Sequence, residues 1–181
     1  MNIIDNSKIV LGKDVFNKIF SMNCNHIPKY LRLLECFEGI ETRHFTINEV
    51  SNLLKISEDD AFEIIEILKT LNLVNIIEEK LVLNSCKDDK NTIILNRATL
   101  KLLLDFYDLT SQDIVVAIGL LYLAESSNGL VSSTYLKSIL SMEKELLESS
   151  ISRLENKKLI RIDESFSEDD LVKIVKYEIH F

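Results

Sequence analysis

The sequence predicts a mainly α protein with small β-hairpins, built from two copies of one unit. Three observations predict it. The first is a repeat. Residues 9–20 (IVLGKDVFNKIF) return as residues 93–104 (IILNRATLKLLL) after a shift of 84, which carries Leu11 onto Leu95, Phe16 onto Leu100 and Ile19 onto Leu103. After a two-residue slip the likeness resumes at a shift of 86, with Leu54 on Leu140, Ile65 on Ile151, Leu68 on Leu154, Leu73 on Leu159 and Ile76 on Ile162. Such a period is too long for a solenoid and suits a small globular module. The second is punctuation: one proline and four glycines in 181 residues favour helices with short connections. The third is composition. At 46% hydrophobic and 28% charged, the chain has the balance of a globular protein rather than a disordered one.

The first copy spans residues 1–85. Lys8–Leu11 reads as a short strand and Lys13–Met22 as a short helix. Pro28 then sits in the first turn of a helix through Phe37, where its missing N–H costs little. Leu31, Leu34 and Phe37 form the apolar stripe of that helix. Thr46-Ile47-Asn48-Glu49 is a capping box that opens a helix ending near Leu54. Ser57-Glu58-Asp59-Asp60 caps the next helix and sets acids at its positive end. Its inward face is Ala61, Ile64, Ile65, Leu68 and Leu71. Leu73–Ile77 and Leu81–Asn84 flank Glu78-Glu79-Lys80 and read as a hairpin.

The polar stretch Cys86–Asn91 is the linker candidate, and the second copy spans residues 92–181. Thr92–Leu95 is its strand and Arg97–Phe106 its short helix. Thr110-Ser111-Gln112-Asp113 caps the helix Ile114–Glu125, Ser126–Gly129 is a loop, and Ser132–Leu140 is the next helix. Ser141 is expected to cap the third helix, which runs to about Lys157. Leu159–Asp163 and Leu171–Phe181 form a longer hairpin around Glu164–Asp170, and Val172, Ile174 and Tyr177 alternate with charged residues. Three helices followed by a β-wing is the winged helix-turn-helix plan, in which the third helix reads DNA in many proteins. The fold expected is therefore two tandem winged-helix modules.

The segments IILNRATLKLLLDFYDLT, SQDIVVAIGLLYL, GLVSSTYLKSILSMEKELLESSISRLENKKLIRI and KIVKYEIHF resemble the N-terminal domain of the DnaD-like replication-initiation proteins of low-GC bacteria. The likeness covers Thr92–Phe181, and the first copy looks like a shorter-winged version. The resemblance implies oligomerisation through the strand and helix that open each module. The family's separate C-terminal DNA-binding domain has no counterpart in these 181 residues.

Composition narrows the functional classes. The longest apolar run, Ile114–Ala124, is too short to span a bilayer. The N-terminus lacks a charged start followed by an apolar stretch, so no signal peptide is expected and the location expected is cytoplasmic. Cys24, Cys36 and Cys86 are odd in number, lack metal spacing and read as free thiols. His26, His44 and His180 lie far apart. No phosphate-binding loop, HExxH or CxxC occurs, and Ser132 and Ser133 have no adjacent base. Neither catalysis nor a cofactor or metal is expected.

The net charge of −8 argues against a nucleic-acid grip unless a local patch supplies it. Across residues 35–66, nine acids face only Arg43 and Lys55, a net of −7. The third helix of the first copy should therefore repel phosphate. Its outward Asp59, Phe62, Glu63 and Glu66 are candidates for docking a protein; Phe62 read blandly is a residue tucked under the wing or against the second copy. In the second copy Lys144, Arg153, Lys157, Lys158, Lys173 and Lys176 form a candidate basic strip for DNA. The plainer reading is that Lys157 and Lys158 complement a helix C-terminus and the rest are solvated. Residues 1–34 carry Lys8, Lys13, Lys18, Lys29 and Arg32 against Asp5 and Asp14, a net of +3 that favours self-association or a charged partner. The expectation is a non-enzymatic oligomerisation and adaptor module in a DNA-associated process, replication initiation foremost, with a protein partner and no membrane. The alternative is a transcriptional regulator that binds DNA through the second module.

Overall fold

In the computed structural model of the chain, residues 8–37, 45–77, 80–84, 92–105, 107–126, 131, 133–166 and 173–179 are described. They are mainly helical, with three small antiparallel two-stranded sheets. Contacts divide the chain into two compact units: Met1–Met22 with His26–Leu102, and Asn23–Asn25 with Leu103–Phe181. The expected linker Cys86–Asn91 lies outside the described residues, as do Glu78 and Glu79 of the first expected turn and residues 167–170 of the second. Lys80 and Glu164–Phe166, expected in those turns, belong instead to strands, whose antiparallel pairing extends that far.

The first unit opens with β1 (Lys8–Gly12), α1 (Lys13–Phe20), α2 (Ile27–Phe37), α3 (Ile47–Leu54) and α4 (Glu58–Thr70). The hairpin β2 (Val74–Ile77) and β3 (Lys80–Leu83) follows, then β4 (Thr92–Asn96) and most of α5 (Arg97–Asp105). β4 belongs here because it pairs antiparallel with β1, Ile9 opposite Leu95 and Val10 opposite Ile94. Alternation along these strands buries Ile9, Leu11 and Leu95 and leaves Val10 and Ile94 exposed. Val10 and Ile94 are also repeat counterparts, since they differ by the shift of 84. The ribbon therefore has local two-fold symmetry, and the two opening strands of the repeat meet inside one chain.

The helices of this unit follow their sequence signals. α2 buries Ile27, Tyr30, Leu31, Leu33 and Leu34, a wider face than the expected stripe. Phe37 is only half-buried and stacks on Phe45 with ring centroids 4.6 Å apart and planes at 9°. Phe45 in turn exchanges backbone hydrogen bonds with Leu81 (3.1 and 2.9 Å), so β3 lies between Phe45 and β2. At α3 the capping box is complete. The Glu49 amide donates to Thr46 Oγ1 at 3.3 Å, and the Thr46 amide donates to Glu49 Oε2 at 2.8 Å. A cap of this kind stabilises by about 1 kcal/mol.

The second unit contains the end of α5, then α6 (Ser111–Ser126), α7 (Ser133–Leu140), α8 (Lys144–Asn156), β5 (Ile160–Phe166) and β6 (Lys173–Ile179). α6 is its central helix, with every residue from Asp113 to Leu120 buried. A helix apolar around its circumference must be enclosed on several sides, and α7 and α8 both pack on it. Gly119 permits the approach of α7. A Cβ there would lie 3.0 Å from both Leu136 Cδ1 and Leu140 Cδ2.

The repeat is structural as well as sequential. The shift of 84 carries β1 onto β4 and the start of α2 onto the start of α6, and the shift of 86 carries α3 onto α7 and α4 onto α8. Left-handed residues repeat too: Lys55 (φ 54°) and Asn72 (φ 59°) have counterparts in Ser141 (φ 48°) and Lys158 (φ 60°). Each turns the chain out of a helix, a conformation that costs an ordinary L-residue energy and is tolerated where it closes a turn. This corrects the role expected of Ser141. It ends the turn after α7, while Glu143 is the N-cap of α8 and makes no side-chain capping bond.

Candidate docking face and basic strip

α4 begins at Ser57, whose Oγ accepts the Asp60 amide at 3.1 Å and donates to Asp60 Oδ2 at 2.7 Å. Glu58, Asp59 and Asp60 occupy the first turn, where the helix dipole favours negative charge. Ala61, Ile64, Ile65 and Leu68 are buried. That spacing turns Phe62 outward, and it is 52% exposed. Asp59 and Glu63 beside it are also exposed, and no ion pair among the described residues engages either. Glu66 meets Lys69 at 2.6 Å, with both side chains partly in solvent. Such a pair contributes at most about 1 kcal/mol. The four expected docking residues thus share one short helix.

β2 packs against α4 and adds apolar surface that the sequence reading did not single out. Ile76 is 51% exposed and Ile77 50%. Half of the signal lies in the sequence: in Asn75-Ile76-Ile77 alternation turns one isoleucine out, but nothing there marks the other as exposed.

The basic strip is less coherent. Lys144 stands at the start of α8 and Lys157 and Lys158 just beyond its end, all exposed. The whole of α8, 13 residues counted from Lys144 itself, runs between the first and the other two, a distance of about 20 Å at 1.5 Å per residue. Lys144 lies 3.7 Å from Glu148, a solvated pair. Lys173 and Lys176 stand in β6 opposite Phe166 and Asp163.

Arg153 is held within the fold. Its Nε donates to Asp113 Oδ1 and Oδ2 at 2.9 and 3.1 Å, and its Nη2 reaches Oδ1 at 2.8 Å. Nη1 and Nη2 also donate to the hydroxyls of Ser149 and Ser150 at 3.1 Å each. Asp113 is 1% exposed. It also closes the cap of α6, accepting the Thr110 amide at 3.0 Å while its own amide donates to Thr110 Oγ1 at 3.3 Å. Burial by itself would raise the Asp113 pKa; the bonds from Arg153, Thr110 and Ser150 outweigh it and hold the carboxyl below the ordinary carboxylate range. A phosphate seeking this guanidinium would have to compete with a buried carboxylate. From sequence Asp113 reads as a cap, and Arg153 as a phosphate contact or a solvated side chain; the ion pair between them is visible in neither.

Cys24 and Cys36 are free thiols, and Cys86 lies outside the described residues. Burial, with the neighbouring Glu35 carboxylate, pushes the Cys36 thiol up to about 11. Among the described residues, no group of three or more histidine, cysteine and carboxylate side chains is placed to hold a metal ion. Nor is any helix among them long and apolar enough to cross a membrane.

No family model and no curated protein matches the chain. Among solved structures, the DIP2311 protein from Corynebacterium diphtheriae aligns over 85% of this chain and 26% of its own, with 11% identity and a TM-score of 0.28. The chain thus spans about a quarter of that protein's length, and a likeness at this level carries no argument about fold or activity.

Proposed function

We propose that the chain is a tandem winged-helix protein without enzymatic activity. It serves as an oligomerisation and adaptor module in a DNA-associated process, with replication initiation favoured by the DnaD-like resemblance. One observation carries the reading. The helix in the DNA-reading position of the first module, α4, presents exposed Phe62 among exposed Asp59 and Glu63. A groove reader needs cations there; an exposed aromatic on an acidic rim suits a protein partner better. Because β1 is paired with β4 of the same chain, self-association draws on faces that this ribbon leaves open.

A DNA-binding second module is the alternative, supported by exposed Lys144, Lys157 and Lys158. Anisotropy with mixed duplex and single-stranded DNA, run beside light scattering, separates the two. The adaptor reading expects no tight binding at physiological salt and a mass above the monomer or a protein complex that requires Phe62. Tight binding that weakens with salt and loses about one unit of salt slope in both Lys157→Ala and Lys173→Ala would establish the regulator instead.

A further inference from the structure

Three of the large exposed apolar side chains, Phe62, Ile76 and Ile77, lie on two adjoining elements, α4 and β2. The fold does not require Phe62 and Ile77, whereas Ile76 keeps an apolar counterpart in Ile162. The shift of 86 carries Phe62 onto Glu148 and Ile77 onto Asp163. Glu148 is exposed on α8, a helix of the same length as α4 with matching left-handed turns before and after it. The same framework thus accepts a carboxylate where the first copy exposes an aromatic ring. Around Phe62 the helix sets Glu58 and Asp59 at i−4 and i−3 and Glu66 at i+4, the positions that share its face; Glu66 is paired with Lys69, and exposed Glu63 borders the face.

We propose that the exposed face of α4 docks a cationic amphipathic segment of a partner protein, which lays an apolar side chain against Phe62 and sets lysine or arginine against Glu58, Asp59 and Glu63. This rests on the adaptor reading and specifies its partner. An apolar centre with a rim of one charge is complemented by an apolar anchor with a rim of the other. Among the described residues of its own basic stretch, a second copy exposes one large apolar side chain, Val10, and that residue stands in the ribbon paired with β4. In the same stretch Ile9, Leu11, Phe16 and Ile19 are buried, and Arg32 is tied to Glu35 at 3.1 Å.

The test uses the full chain and two synthetic amphipathic peptides, one of leucine and lysine and one of leucine and glutamate, followed by anisotropy at two salt concentrations. The lysine peptide should bind the wild type, weaken as salt rises, and bind Phe62→Glu at least about tenfold more weakly, a loss within the range for an interface anchor. Attraction by net charge alone predicts the reverse, since Phe62→Glu makes the protein more acidic. The double variant Asp59→Lys/Glu63→Lys should also weaken binding and provides a second test should Phe62→Glu misfold. Equal or tighter binding by both variants would overturn the proposal. If the glutamate peptide binds with the same dependence on Phe62, the docking face stands and the cationic partner does not. If neither peptide depends on Phe62, the adaptor reading loses its carrying observation too. A Phe62-dependent dimer in light scattering would make a second copy the occupant and likewise overturn the proposal.

Discussion

Replacing Arg153 by alanine tests the structure most severely, because it removes the partner of a buried charge. Asp113 is 1% exposed and would keep its bonds from Thr110 while losing three short contacts to the guanidinium. Breaking a buried pair from one side costs about 3–5 kcal/mol. Here the lower end applies, since the Arg153 side chain is 42% exposed and water can enter beside it. A loss of about 3 kcal/mol is a large share of the roughly 5–15 kcal/mol that stabilises a typical domain, and it lowers the melting temperature by about 6–12 °C at this chain length. Urea unfolding at neutral pH measures it directly. Arg153→Met with Asp113→Asn should lose less than the sum of the two single changes, because the pair is removed together. The acid limb follows from the depressed Asp113 pKa. In the unfolded chain the carboxyl takes up its proton near pH 3.9, and in the folded chain it does so lower. The unfolded state therefore binds more protons in that interval, and stability rises with pH there. The cost of Arg153→Ala is present at neutral pH and shrinks as pH falls through the lowered folded value, where Asp113 takes up a proton and no longer needs the guanidinium. A change below about 0.5 kcal/mol at neutral pH, the range of an inert surface substitution, would refute the reasoning. The variant is also a poor probe of DNA binding, since its effect on stability would mask any lost phosphate contact.

Cysteines placed at Val10 and Ile94, which are Cα partners across the ribbon, should form a disulfide within one chain under mild oxidation; a covalent dimer in mass spectrometry or no bond would refute the register. Gly119→Val should cost about 1–3 kcal/mol in urea unfolding, because the new carbons press on the buried tips of Leu136 and Leu140; unchanged stability would show that α7 can yield. With its thiol pushed up to about 11, Cys36 is almost wholly protonated at pH 8. Peptide mapping after iodoacetamide treatment should therefore show it alkylated at least tenfold more slowly than free glutathione, since the thiolate is the nucleophile.

Much of the local structure was legible before any coordinates. The Thr46–Glu49 box, Ser57 and the Thr110–Asp113 cap all work over three residues, within reach of sequence reasoning. The outward turn of Phe62 follows from helical period, and the burial of α6 from an unbroken apolar run that shows no such period. Ser141 shows where that reasoning stops. A serine before a helix is a natural cap, yet it became the left-handed residue of the preceding turn, because its counterpart Lys55 shows the turn to be set by the framework rather than by the side chain.

The sequence by itself determined a repeated, mainly helical chain and the acidic character of α4, because periodicity, capping chemistry and charge act between near neighbours. The tertiary structure decided what distant residues do to one another. It paired β1 with β4 across the repeat and drew Arg153 from the candidate strip onto Asp113, forty positions away. It also left Ile76 and Ile77 uncovered beside α4. Those outcomes depend on burial and on the enclosure of a charge, which exist only once the chain has closed on itself.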